Sequence, residues 1–65
     1  MKVNYFAQTD TLYIELKPSG VAETRDLDDN TILDMDAQGN MVAITMEHAS
    51  TRTDVQNLVI SGIAA

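Results

Sequence analysis

Between Thr11 and Met46 apolar and polar residues alternate, and turn signals separate the alternating runs. Leu12, Ile14 and Leu16 point one way, and Tyr13 and Glu15 the other. Leu33 and Met35 oppose Asp34 and Asp36. Val42, Ile44 and Met46 oppose Ala43, Thr45 and Glu47. A period of two marks half-buried strands, because successive side chains leave opposite faces of the pleat. The pattern therefore predicts a small antiparallel sheet.

Five strands follow from the runs and their breaks. Strand one covers Val3 to Phe6, and Ala7 to Asp10 turns. Strand two covers Thr11 to Lys17 and stops at Pro18-Ser19-Gly20, since proline cannot donate to a ladder. Strand three, Val21 to Leu27, has few apolar anchors. Asp28-Asp29-Asn30 turns into strand four, Thr31 to Asp36. Ala37 to Asn40 turns into strand five, Met41 to Glu47, with Gly39 free to take positive φ. Tight connections make a sequential up-and-down meander the simplest topology. After His48 the period changes. Thr53-x-x-Gln56 is a capping-box pattern, and Val55, Leu58 and Val59 share a helical face. The chain is thus expected to be α+β: a five-stranded meander with a short C-terminal helix, residues 54–61, packed on one face and capped by Gly62. A sixth strand is the competitor there, because Val55, Val59 and Ile60 are β-branched. Leu12, Ile14, Leu16, Leu33, Met35, Val42, Ile44 and Leu58 are the expected core.

Sixty-five residues make one domain. A chain of this size buries only about 60% of its unfolded surface, so its stability margin is narrow. Disulfides, metals or partners usually widen it. Cysteine is absent and His48 is the sole histidine, which argues against disulfides and a structural zinc site. Self-association remains, and a homo-oligomer is expected. The start Met-Lys-Val-Asn-Tyr-Phe has no apolar signal region. No run approaches the roughly 20 residues of a membrane span. A cytoplasmic protein without membrane contact is expected.

Net charge is −6, and the excess is concentrated. Glu23, Asp26, Asp28, Asp29, Asp34 and Asp36 fall in one stretch, offset only by Arg25. This field disfavours direct nucleic-acid binding and favours a basic protein partner. Tyr13 lies opposite the Leu12, Ile14 and Leu16 face, and Met41 and Ala43 are expected to extend its outward surface. Tyrosine and methionine suit contact surfaces. Tyr13, Met41, Ala43, Glu23, Asp26 and Asp28 are therefore the expected partner-binding residues.

No pattern carries recognisable chemistry. Asp34-Met-Asp36-Ala-Gln38-Gly39 resembles the start of a calcium loop, but Thr45 stands where a bidentate acid is needed. His48 lacks a partner legible in the local sequence, since adjacent Glu47 points away on a strand. Asp10, Glu15, Asp26 and Asp28, gathered on one sheet edge, would make at most a weak and nonspecific cation site. No cofactor, metal or catalytic residue is expected. The competing readings are a metal-dependent carboxylate and His48 site at an oligomer interface, and an acidic mimic of nucleic acid.

Three stretches carry a family resemblance: Tyr5-Phe-Ala-Gln-Thr-Asp10-Thr-Leu-Tyr-Ile-Glu-Leu16, then Ala22-Glu-Thr with Ile32-Leu-Asp-Met-Asp-Ala-Gln-Gly39-Asn-Met-Val-Ala-Ile44, then Glu47-His-Ala-Ser50. Together they resemble family 2283 of the domains of unknown function. That family opens with a tyrosine, Asp and Leu-Tyr-Ile, then an acidic third strand, an Asp-x-Asp-x-x-Gly hairpin and an apolar strand ending in Ala-Ser. The likeness spans Lys2 to Ser50. It implies a compact α+β domain and no assigned activity. It also implies an antitoxin-like association with small proteins. Phe6 departs from the family's usual aspartate, so any polar role there is lost. Residues after Ser50 fall outside the shared pattern.

Overall fold

In the computed structural model, which describes residues 1–57, five strands form a single antiparallel sheet. They are β1 (Lys2–Phe6), β2 (Thr11–Glu15), β3 (Glu23–Asp28), β4 (Thr31–Met35) and β5 (Met41–Glu47). A four-residue helix, α1 (Ala49–Arg52), follows, then a 3-10 turn at Val55–Asn57. The strands lie within a few residues of the sequence expectation. The helix expected at residues 54–61 does not: α1 precedes it, a 3-10 turn occupies Val55–Asn57, and the remainder lies outside the described residues. Leu58 and the Gly62 cap lie there too.

The strand order is β1-β2-β5-β4-β3, which replaces the expected sequential meander. β3, β4 and β5 are joined by hairpins, and β5 then inserts beside β2. This is a Greek-key arrangement in one sheet. The link from β2 to β3 must therefore pass the ends of β5 and β4. Three strand spacings are about 14 Å, and the seven residues from Leu16 to Ala22 reach over 20 Å when extended. The link is anchored along its path. Leu16 N–H donates to the Val42 carbonyl at 2.7 Å, and Ala22 N–H to the Met35 carbonyl at 2.8 Å. Pro18 and Gly20 fall in this link, where no ladder bond is required of them.

Each turn has its own solution. In the β1–β2 turn Asp10 takes φ 51°, a left-handed conformation that aspartate tolerates better than most residues. The β4–β5 turn puts Gly39 at φ 84°. The β3–β4 hairpin has two turn residues, Asp29 and Asn30, neither at positive φ. It therefore lacks the usual primed turn, and a register shift at Leu27 accommodates the closure.

Cross-strand register sets the faces. On one face Val3, Ile14, Ile44 and Leu33 form a row, and Tyr5, Leu12, Met46 and Thr31 a second. On the other, Asn4, Tyr13, Thr45, Ile32 and Asp26 align, beside Lys2, Glu15, Ala43, Asp34 and Thr24. Leu12, Leu33, Met35 and Val42 are buried as expected. Ile14, Leu16 and Ile44 are only half-buried. Ala43, Ala49, Thr31 and Asp36 join the buried set. The molecule is a plate of 33 × 32 × 16 Å. The sheet is one layer thick, and its central Ile14 and Ile44 are only half-buried because they lack a full covering layer.

Candidate functional site

The densest polar cluster joins the first turn to α1. Asp10 sits at the end of the β1–β2 turn, and its left-handed backbone swings the carboxylate beneath the helix start. One oxygen, Oδ1, accepts the Tyr5 hydroxyl at 2.6 Å and the Ser50 N–H at 3.0 Å. The other, Oδ2, accepts the Ser50 hydroxyl at 2.7 Å. The Asp10 carbonyl also accepts the Ala49 N–H at 2.9 Å. Asp10 thus does for α1 what a capping residue does, from forty residues away. His48, in the capping position itself, makes no side-chain cap bond and takes φ 55°.

A cleft of about 310 Å³ opens beside this cluster, lined by Tyr5, Ser50, Thr53, Asp54, Val55 and Gln56. At its edge Tyr5 is tied to Asp10. The Tyr5 hydrogen bond, then those from Ser50, hold the Asp10 carboxyl below its ordinary range. The same bond raises the Tyr5 phenol above its ordinary value. A weakened base and a weakened acid facing one another suit a lock more than a general acid–base pair. His48 is exposed, and its carbonyl is engaged by Thr51.

The acidic stretch is dispersed by the fold. Asp36 turns inward and is almost fully buried, with a side chain 4% exposed. Its Oδ1 accepts the N–H groups of Gln38 (3.0 Å) and Asn40 (2.9 Å), and its Oδ2 accepts Lys17 Nζ at 2.6 Å. Lys17, then the Asn40 N–H, lowers its pKa to about 2. The calcium-like turn therefore closes on its own aspartate. Asp34 accepts the Thr24 hydroxyl at 2.8 Å. Asp28 accepts the Asn30 N–H at 2.8 Å and Arg52 at 3.3 Å, and its carboxyl is lowered chiefly by the Asn30 bond. Glu23 pairs with Arg25 on the surface at 3.3 Å. What remains open is the β3 edge: every residue from Glu23 to Asp28 is exposed, as is Asp29.

The expected contact residues separate. Glu23, Asp26 and Asp28 share the exposed β3 strand. Tyr13 is half-buried between Asn4 and Thr45. Met41 is 54% exposed, whereas Ala43 is 0% exposed and offers no contact surface. Asp10, Glu15, Asp26 and Asp28 do not converge, since β5 and β4 lie between β2 and β3. Among the described residues no three His, Cys, Asp or Glu side chains gather in metal-binding geometry. No described helix is long and apolar enough to cross a membrane.

Sequence reasoning missed Asp10 as a hub and Arg52 altogether. Arg52 donates to the Asn30 carbonyl (2.9 Å), the Thr31 hydroxyl (2.7 Å) and the Glu47 carbonyl (3.3 Å). Local spacing signals neither role, since Asp10 meets Ser50, and Arg52 meets Asn30, only after folding. The one available signal was that Tyr5, Asp10 and Ser50 all lie within the family-like stretches.

No curated protein and no solved structure matches the chain. A family model, described as a protein of unknown function, matches residues 2–50. That span holds all five strands, the Asp10 hub and the Asp36 turn, and the chain belongs to this family, DUF2283.

Proposed function

We propose that this chain is a non-enzymatic protein-interaction module that self-associates and presents the β3 edge to a basic protein. One observation carries the reading. Asp10 and Asp36 have their carboxylates occupied by hydrogen bonds within the fold, and Asp28 and Glu23 are held by Arg52 and Arg25, while Asp26 on the edge strand and Asp29 in the turn after it stand exposed. An edge offers unpaired backbone groups as a template for an added strand. Its acids select a segment rich in lysine or arginine and raise its association rate. The sharper form is antitoxin-like: a small basic protein bound and neutralised in the cytoplasm. The net charge of −6 supports a basic partner over phosphate-bearing ones.

The test is affinity capture from the cells that encode the chain, with mass spectrometry, beside the variant Asp26→Lys/Asp29→Lys. Both positions are exposed, so the variant should fold. A basic protein retained by the wild type, and lost from the variant or at about 0.5 M salt, where the screening length falls to about 4 Å, supports the reading. An identical captured set for both baits sinks it.

A further inference from the structure

We propose that the β1 edge docks a second copy of this chain. The two β1 strands would pair antiparallel about Asn4 and continue the sheet through a two-fold axis. The inference rests on the self-association half of the reading above, and names its surface.

The sheet has two edges of opposite character. β3 carries Glu23, Asp26 and Asp28 against Arg25, so its net charge is 1 − 3 = −2. β1 carries Lys2 and no acid, a net +1. For copies that each bear −6 overall, approach along β1 meets the least repulsion. The acids of β3 favour a basic strand over a second acidic copy of this chain, whereas β1 carries no acid to repel one. β1 is bonded to β2 on one side, and among the described residues no strand lies on its other side. Its aromatic members are open to solvent, Phe6 53% exposed and Tyr5 40%, beside a half-buried Val3.

Register decides between the edges again. Full antiparallel overlap of two β1 strands sets Lys2 opposite Phe6, Val3 opposite Tyr5, and Asn4 opposite itself. The first is a cation over a ring, and the second an aromatic with a β-branched residue, a favourable cross-strand pair. Each occurs twice by symmetry. Val3 and Tyr5 stay on one face and Lys2 and Phe6 on the other, so the faces of the two sheets remain continuous. Full overlap of two β3 strands sets Glu23 opposite Asp28 twice, which is repulsive, and Arg25 opposite Asp26 twice, which is attractive, so the charges cancel there and no apolar pair is gained. The irregularity at Leu27 also breaks that ladder. A closed pair through β1 leaves β3 at both ends of the ten-stranded sheet, free for the basic partner.

The chain has no cysteine, so Asn4→Cys gives a clean cross-linking probe. Directly opposed residues on antiparallel strands lie about 4.5–5.5 Å apart at Cα, inside the roughly 4.4–6.8 Å a disulfide accepts. Lys2→Cys is the control, since the two positions would be offset by four residues, about 13 Å. Under mild oxidation at low protein concentration, N4C should cross-link and K2C should not. Light scattering of the unmodified chain should give a dimer mass. Phe6→Lys, which sets like charges opposite one another, should weaken the dimer at least tenfold. Lys2→Glu/Phe6→Lys should restore it, by opposing charges at the same register. A wild-type dimer that neither cross-links through N4C nor responds to F6K overturns the β1 surface and leaves self-association standing. A monomer at every concentration overturns both. Residues 58–65 of the same chain seated on this edge would give that monomer, and would also overturn the proposal.

Discussion

Lys17, in the link that leaves β2, donates a 2.6 Å charged hydrogen bond to Asp36 at the start of the β4–β5 turn. The pair fastens the crossover to the hairpin it passes. This is the long-range contact a Greek key needs, because the link has no ladder of its own.

Asp36 should therefore impose a pH dependence on stability. Its carboxyl is lowered from 3.8 in the unfolded chain to about 2 in the fold. A lowered native pKa means the unfolded state binds the proton first. The stabilisation is complete above the unfolded value and is lost as pH falls through the folded one. Thermal midpoints should fall steeply between about pH 4 and pH 2 in the wild type. Asp36→Asn should start lower and flatten that window, leaving only the slope due to other acids. An unchanged slope in the variant would assign the acid sensitivity elsewhere.

The strands were legible in the sequence and their order was not, for one physical reason. Alternation reports which face a side chain takes, a local property fixed by the pleat. The pairing of β2 with β5 brings Leu16 N–H to the Val42 carbonyl and Lys17 to Asp36. Those partners are nineteen to twenty-six positions apart, beyond what a period can encode. Asp36 itself read as an outward acid of an alternating strand, yet it lies past the end of β4 and turns in to close the hairpin. Ala43 read as outward contact surface and is enclosed by Glu15 and Asp34 from neighbouring strands. The Tyr5–Asp10–Ser50 cluster was visible only as three family-like positions, because its geometry depends on a left-handed backbone at Asp10.

Burial separates two leucine-like positions that alternation treats alike. Leu12 is 3% exposed, whereas Ile14 is half-buried. Leu12→Ala should cost about 2–5 kcal/mol, most of the ~5 kcal/mol a small domain holds. Ile14→Ala should cost less than half as much. Urea unfolding followed by circular dichroism measures both. Equal losses would mean that Ile14 is covered in solution, as a partner across that face would cover it.

Tyr5 supplies an optical report on the Asp10 lock. In a Tyr13→Phe background it is the single phenol, since the chain has two tyrosines. Its ionisation should lie above the ordinary 10.0, because its proton is given to the Asp10 carboxylate. Asp10→Asn should return it towards that value, while asparagine still tolerates the left-handed turn. The same variant should speed amide exchange at Ala49 and Ser50, whose N–H groups bond Asp10. Ultraviolet titration that is the same with and without Asp10→Asn would show that the bond does not persist in solution.

Arg52 should resist replacement by lysine. Its guanidinium joins three segments: the β3–β4 hairpin through Asn30, Asp28 and Thr31, the end of β5 through the Glu47 carbonyl, and α1, which carries it. The side chain is 30% exposed, so partial desolvation strengthens these bonds while water still competes for the Asp28 arm. The Thr31 hydroxyl is buried and the Asn30 carbonyl already accepts the Glu47 N–H at 2.8 Å. Lysine brings the charge but a single nitrogen, which cannot span acceptors on opposite sides of a planar fork. Arg52→Lys and Arg52→Ala should therefore lose similar stability, about 1–2 kcal/mol each. Both should raise amide exchange in the Asp28–Thr31 hairpin and in α1 together, because one side chain holds the two. Arg52→Lys within about 0.3 kcal/mol of wild type would reduce the link to simple charge attraction to Asp28.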